Sequence, residues 1–250
     1  MIKFFRNIRQ YYIMTNKTSK YITYAIGEII LVVIGILIAL SINNWNDDNK
    51  MGKQEIKKLK EISNSLIQTK ANIREAQTDD HRWMQKNVTI LDYLDNEKPY
   101  DPKLEACFGS YFWFSRPEIE FSTFEQLKLV GLDLISNDSL RAEIVKIFEK
   151  AFQLLYTEND QWNIAFINTT LPIHLKLFRK TFPENWSPGD DEYAKPINYK
   201  GLFDNDEYKN LLAETIALRK FEISNYERVI KDCESLVIAI NNEISHLEND

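Results

Sequence analysis

The run Ile29-Ile30-Leu31-Val32-Val33-Ile34-Gly35-Ile36-Leu37-Ile38-Ala39-Leu40 contains no polar side chain. Extending it to Ile22 and Ile42 adds only Thr23, Glu28 and Ser41 as polar members. As an α-helix this stretch covers roughly 30 Å, the thickness of a bilayer's hydrocarbon core. Tyr21 and Tyr24 stand at one end and Trp45 at the other, the spacing expected of rings in the two interfacial belts. A buried helix of a soluble protein keeps a polar face over this many turns. This one has none, and the expectation is a transmembrane helix over residues 21–45 with the lipid bilayer as its partner.

Charge divides at the same place. Residues 1–46 carry Lys3, Arg6, Arg9, Lys17 and Lys20 against the single acid Glu28. The remainder carries 26 basic and 36 acidic side chains. A body that acidic repels phosphate backbones, which argues against nucleic acid as a partner. The basic head, residues 1–20, suits an anionic inner leaflet. Lys3, Arg6 and Arg9 oppose Phe5, Ile8 and Tyr12, so the head reads either as a short surface-lying helix or as a basic tail that sets topology. Ala39-Leu40-Ser41 offers small residues for signal cleavage. The length of the apolar run and of the head, and the interfacial exit Asn43-Asn44-Trp45-Asn46, favour an uncleaved anchor. Lys50, Lys53, Lys57, Lys58 and Lys60 on the far side balance the basic head, but Asp47 and Asp48 come first there. The bias therefore places the head inside and the body outside.

Tyr24-Ala25-Ile26-Gly27-Glu28-Ile29, Val32 to Leu40 and Ile42-Asn43-Asn44-Trp45-Asn46 together resemble the opening of an uncharacterised flavobacterial (Bacteroidota) family of single-pass membrane proteins containing a domain of unknown function. Leu132 to Asn137, followed by Leu140-Arg141, resembles the central part of the same family. The resemblance implies a bacterial envelope protein, with an inner-membrane anchor and a periplasmic body, and implies no activity.

The body, residues 46–250, is read as all-α. Seven glycines and seven prolines in 250 residues leave few breaks,. Gln54 to Asn96 has neither, and its apolar residues recur at steps of three and four, with a polar gap around Gln77 and Asp80. A second helix starts near Asn137 or Asp138, carries Leu140, Ile144, Phe148, Ala151, Leu155, Trp162 and Phe166, bends at Pro172 and continues over Ile173 to Phe182. A third, from about Asp206 to Leu247, ends in a heptad seam of Ile223, Tyr226, Ile230, Cys233, Val237, Ile240, Ile244 and Leu247, a coiled-coil pattern. The expected architecture is one N-terminal transmembrane helix followed by an elongated bundle of three long helices with short connecting helices. Two irregular segments separate them, Glu97 to Ser122 and Thr181 to Asn205. Ser122 with Glu125 forms a capping-box pattern.

No catalytic, cofactor-binding or metal-binding residue is assigned. His81, His174 and His246 stand far apart. Asp79-Asp80-His81 reads as a solvated helix face or a fragment of a metal site. Asp204 to Glu207 lacks the glycine and terminal glutamate of a calcium loop and reads as a cap. Cys107 and Cys233 are a pair in an oxidising compartment, or Cys233 is simply a small apolar seam residue. Tyr111-Phe112-Trp113-Phe114, with Trp186 and Tyr193, either lines an apolar pocket or plugs the end of the helices. Gly27, Leu31, Gly35 and Ala39 form a ridge, and Gly27, Gly35 and Ala39 are the small residues through which two copies would approach. Three functions remain open: a membrane-anchored interaction or scaffold module, a ligand-binding sensor-like domain acting through an envelope partner, and a membrane-tethered hydrolase. A buried carboxylate with a raised pKa in a cleft favours the hydrolase, and a solid apolar core opposes it.

Overall fold

The computed structural model describes residues 18–187 and 192–249. The amphipathic basic head, the side chains of Tyr21 and Tyr24, and Pro188 and Gly189 lie outside the described residues. The chain divides into two compact units, Met1–Gln54 and Glu55–Asp250. Helix α1 spans Thr18–Asp95, 78 residues, and neither Gly35 nor Gly52 interrupts it.

In the first unit, every large apolar side chain from Ile29 to Ile42 lies open, 47–64% exposed. Soluble monomeric proteins rarely expose so continuous an apolar surface. This stretch of α1 is long and apolar enough to cross a membrane. Trp45 is also exposed, and the Asn43 amide donates to Asp47 at 3.0 Å.

The second unit is helical with one small sheet. After α1 come α2 (Leu104–Ser110), α3 (Ser122–Val130), α4 (Asp138–Lys146), α5 (Phe152–Ala165), α6 (Leu171–Leu177) and α7 (Asp206–Leu247). Two of these helices start on a side-chain cap. Asn137 caps α4 by accepting the Leu140 N–H at 3.1 Å, and Asn205 caps α7 by accepting that of Tyr208 at 2.9 Å,. Ser122 is not a cap: it is the first residue of α3, and its N–H and hydroxyl both donate to Glu120, whose carboxylate supplies the acceptor at that end. Gly131, at φ +115°, closes α3 in a conformation other residues rarely adopt,.

The expected second helix is present but jointed. Single π-turns at Ile147–Ala151 and Phe166–Thr170 separate α4, α5 and α6. The second π-turn falls just before Pro172, which lacks the N–H that a regular α-turn would need there. The helix also stops short of Phe182. Phe178–Thr181 (β1) pairs antiparallel with Tyr193–Pro196 (β2), Phe178 opposite Pro196. Phe178 turns inward, 4.8 Å from Phe108 between ring centroids, while Arg179 and Lys180 face water. Gly109 lets α2 press onto β2: a Cβ there would stand 2.0 Å from the Glu192 carbonyl oxygen.

Helix α7 runs antiparallel along the Glu55–Asp95 part of α1. Lys60 meets Glu248 at 2.7 Å, Arg74 meets Glu234 at 2.6 Å, and Lys209 meets Asp95 at 3.1 Å. These surface pairs report register; each adds at most about 1 kcal/mol. The apolar stripes carry the energy, about 1.5–3 kcal/mol for each large side chain buried. They form two cores. One gathers Leu59, Ile62, Leu66 and Ile73 of α1 with Phe148 and Phe152 and with Ile230, Cys233 and Ile240 of α7. The other gathers Ile90 and Leu94 with Phe108, Tyr111, Phe178 and Tyr208. The seam from Ile223 to Leu247 is thus covered within one chain. The polar gap at Gln77 and Asp80 is not an uncovered interval: Gln77 donates to the Ile223 carbonyl at 3.3 Å, and Asp80 is buried.

Candidate functional site

Between the two cores lies a layer of buried polar side chains: Asp80 and Asn87 from α1, and Thr215, Arg219, Glu222 and Asn225 from α7. Arg219 is at its centre, 1% exposed. Its Nη1 donates to Asp80 Oδ1 at 2.5 Å, and its Nη2 donates to the carbonyls of Tyr111, at 3.2 Å, and Trp113. The guanidinium lies over Trp83 and Trp162, 5.4 and 5.6 Å from the ring centroids. Burial pushes Asp80 up to about 6 although Arg219 pulls the other way, and lowers Arg219 to about 10. The geometry is that of a buried ion pair. It ties α1, α7 and the Tyr111–Trp113 segment together.

One turn further along α7 is Glu222, 4% exposed. The Tyr226 hydroxyl lies beside its carboxylate and favours the charged form, and Oε1 is buried away from solvent. Glu222 is one wall of a cavity of about 270 Å³ whose other walls include Glu158, Trp162 and Ala165 of α5 and Leu218 and Phe221 of α7. Glu158 accepts from the Asn225 amide at 3.1 Å, and Asn225 in turn accepts from Arg228 at 3.1 Å. Burial and the neighbouring Glu158 push Glu222 up to about 7; burial also raises Glu158, against Asn225 and Arg228. The cavity therefore joins two carboxylates, the Gln161 amide, an indole face and an aliphatic and aromatic rim, and among the described residues it presents no nucleophile beside a base.

Two other depressions lack this character. One of about 600 Å³ runs beside the Ile147–Ala151 π-turn, and its walls mix Lys146, Lys150 and Arg228 with Glu143 and Asp232. The other, about 200 Å³, is formed by Phe112, Trp113, Phe114 and Phe166 and offers no polar side chain.

The residues singled out by sequence fall as follows. Tyr111 is wholly buried, Phe112 stacks on Phe166 at 5.2 Å, and Phe114 stacks on Trp162 at 6.5 Å. The quartet thus packs behind and beside the Glu222 cavity, and only its indirect neighbour Trp162 lines it. Trp186 stands edge-on to Phe182, and Tyr193 lies on β2. Asp79-Asp80-His81 is neither a solvated face nor a metal site: Asp80 is buried on Arg219, Asp79 pairs with Arg82 at 3.1 Å, and His81 is exposed. Among the described residues no three His, Cys, Asp or Glu side chains converge on a point a metal could occupy. His174 is buried against Phe112 and Phe178, and burial together with Lys180 lowers it to about 4. Cys233 sits in the first core, its thiol pushed up to about 12 by burial; Cys107 borders the second, and no disulfide joins them. In the first unit, a Cβ added at Gly27 or Gly35 would meet nothing within 4 Å, and Ala39 is exposed.

Sequence reasoning passed over Glu158, Arg219 and Glu222, yet a signal for two of them is present. Leu212, Thr215, Arg219, Glu222 and Tyr226 continue the three-and-four steps of the seam toward the start of α7. Ile73, Ala76, Asp80, Trp83, Asn87, Ile90 and Leu94 do the same on α1. Polar residues in core phase on two long helices mark a buried polar layer.

Residues 28–105 match a family of unknown function (DUF6090). The match takes in part of the apolar run, the rest of α1 with Asp80 and Trp83, and the first residues of α2; it ends before the Leu132–Arg141 phrase and before Glu158, Arg219 and Glu222. No curated protein and no solved structure gives a significant match to the chain.

Proposed function

We propose that the chain is a membrane-anchored module that binds a small ligand in the Glu158–Glu222 cavity of its helical body. The observation that carries this reading is a cavity of about 270 Å³ whose walls bring Glu158 and Glu222 together with Gln161, Trp162 and Phe221. The covered seams of α1 and α7 weigh against a body built as an oligomerisation stalk. In this reading the protein belongs to a bacterial inner membrane, with residues 1–20 cytoplasmic, the uncleaved anchor at 21–45 and the body, residues 46–250, periplasmic. In this reading a signal from the ligand passes through an envelope partner.

Placement is tested by carbonate extraction, which should leave the protein in the membrane with Met1 or Ile2 still at its N-terminus. A cysteine introduced at Asn49 should react with an impermeant thiol reagent in intact spheroplasts, and one at Asn16 should not. A mature chain starting near Ile42 would overturn the anchor. The cavity is tested by thermal melts of the full chain with a panel of cationic, neutral and anionic aromatic compounds. A stabilising compound should lose its effect when Ala165→Trp fills the cavity. No stabilisation by any class would overturn the ligand-binding reading.

The open ridge of Gly27, Gly35 and Ala39 supports a second, scaffold reading, in which two anchors pair in the bilayer. Gly35→Leu should then weaken self-association in a membrane reporter assay while Val33→Leu does not. Equal effects would dismiss the ridge.

A further inference from the structure

We propose that a strap of chain from Tyr156 to Ile173, the second half of α5 with the π-turn that follows it, peels from α7 when Glu222 loses its proton. Glu158 on the strap and Glu222 on α7 form the catch. The device works with or without a ligand.

The strap is lightly held between two firm ends. Phe152 and Leu155 before it are buried in the first core, and His174 after it is buried against Phe112 and Phe178. Among the described side chains from Tyr156 to Ile173, none is buried. A few contacts keep the strap in place. Glu158 accepts from the Asn225 amide of α7 at 3.1 Å, and Asp160 pairs with Arg116 at 3.5 Å. Trp162 lies under Arg219 and stacks on Phe114, and Phe166 stacks on Phe112. A segment with so few buried apolar side chains opens at a fraction of the cost of global unfolding. The π-turn Phe166–Thr170, with Pro172 just beyond it, interrupts the regular α-helical bonding and supplies a joint,.

The catch is electrostatic. Glu158 and Glu222 line one cavity, from α5 and α7. Once Glu222 is ionised, two like charges face each other across it, and the repulsion acts between strap and α7. Asp80 of α1 adds to that repulsion, and the Tyr226 hydroxyl of α7 favours the charged Glu222. Arg228 of α7 attracts Glu158, directly and through Asn225, and Arg219 is engaged on Asp80 and two carbonyls. Both guanidinium groups keep their charge around neutrality, so the Glu222 proton changes the balance. Burial and Glu158 raise that carboxyl from 4.5 to about 7 with the strap in place. The closed strap therefore binds more protons than the open one between those values. Opening grows as pH rises through that window and levels off above it.

The test is hydrogen exchange of the full-length protein in nonionic detergent, followed by mass spectrometry and corrected for intrinsic exchange. Protection of the strap amides should be at least tenfold lower at pH 8 than at pH 5.5. At pH 8 it should also lie far below that of the Leu59–Ile73 amides in the first core, because the strap opens by itself. Glu222→Gln should remove the pH difference, and Glu158→Gln, which leaves the burial of Glu222 in place, should shrink it to less than about fivefold. If Glu222→Gln fails to fold, Glu158→Gln decides alone. Equal strap protection at the two pH values, a fall that survives these substitutions, or strap protection as high as that of Leu59–Ile73 at pH 8 overturns the proposal.

Discussion

Arg219 on α7 reaches Asp80 on α1 at 2.5 Å, and this ion pair stands where one apolar core ends and the other begins. It is bracketed by Trp83 and Trp162 and anchored to two backbone carbonyls. Such a pair fixes the register of two long helices that apolar stripes alone would allow to slide by a heptad.

Removing one partner should therefore cost more than removing both. Arg219→Met leaves Asp80 buried without its partner and should lower the unfolding free energy by about 3–5 kcal/mol. The double variant Asp80→Leu with Arg219→Met should recover much of that. A double-mutant cycle by denaturant titration of the body measures it. If the double variant is as unstable as the sum of the singles, the layer is held by something other than this pair.

The body should not need a second copy of itself. A fragment of residues 53–250 should be strongly helical by circular dichroism and sediment as a monomer at micromolar concentration, because α1 already covers the α7 seam. Ile240 is fully buried in that seam. Ile240→Asp should unfold the fragment. A dimer that this substitution converts to a folded monomer would mean that the seam pairs between chains.

His174 makes the body acid-sensitive. Its imidazole sits at about 4 when folded, against an ordinary value of 6.5, because burial and Lys180 disfavour the charged form. The folded state thus binds fewer protons than the unfolded chain between those values, and stability falls as pH drops from about 6.5 toward 4. His174→Phe, among Tyr111, Phe112 and Phe178, should remove a loss on the order of 2 kcal/mol at pH 5,.

Glu222 acts with the opposite sign. Its carboxyl is raised from 4.5 to about 7 by burial, by Glu158 and by Asp80, with Tyr226 opposing. The folded state binds more protons than the unfolded chain between those values, so its cost is full above pH 7 and is relieved as pH falls. Glu222→Gln should stabilise the body by on the order of 2 kcal/mol at pH 8 relative to its effect at pH 5. Denaturant titrations of variant and parent at the two pH values give the difference directly.

The helices were readable because long periodic stripes of Ile, Leu and Phe at three- and four-residue steps allow few alternatives, and the caps Asn137 and Asn205 mark their starts. The β1–β2 pair was not. Four residues with the pattern of Phe178-Arg179-Lys180-Thr181 carry too little alternation, and what holds them extended is their pairing with Tyr193–Pro196 and the Phe178–Phe108 contact. The π-turns are equally silent, apart from Pro172. The ligand cavity was half legible. Arg219 and Glu222 keep the seam's phase, and only their polarity hides them. Glu158 comes from a different helix, 64 positions away from Glu222, and no spacing rule joins the two.

The central claim is that burial and the neighbouring Glu158 hold the Glu222 carboxyl well above its ordinary range beside the cavity it shares with Glu158. Its carboxyl carbon, followed by ¹³C resonance through a pH titration of the full-length protein and assigned by its loss in Glu222→Gln, tests this most directly. The account predicts a midpoint near 7. A midpoint near the ordinary 4.5 would mean that water already serves the carboxylate, and would contradict it,.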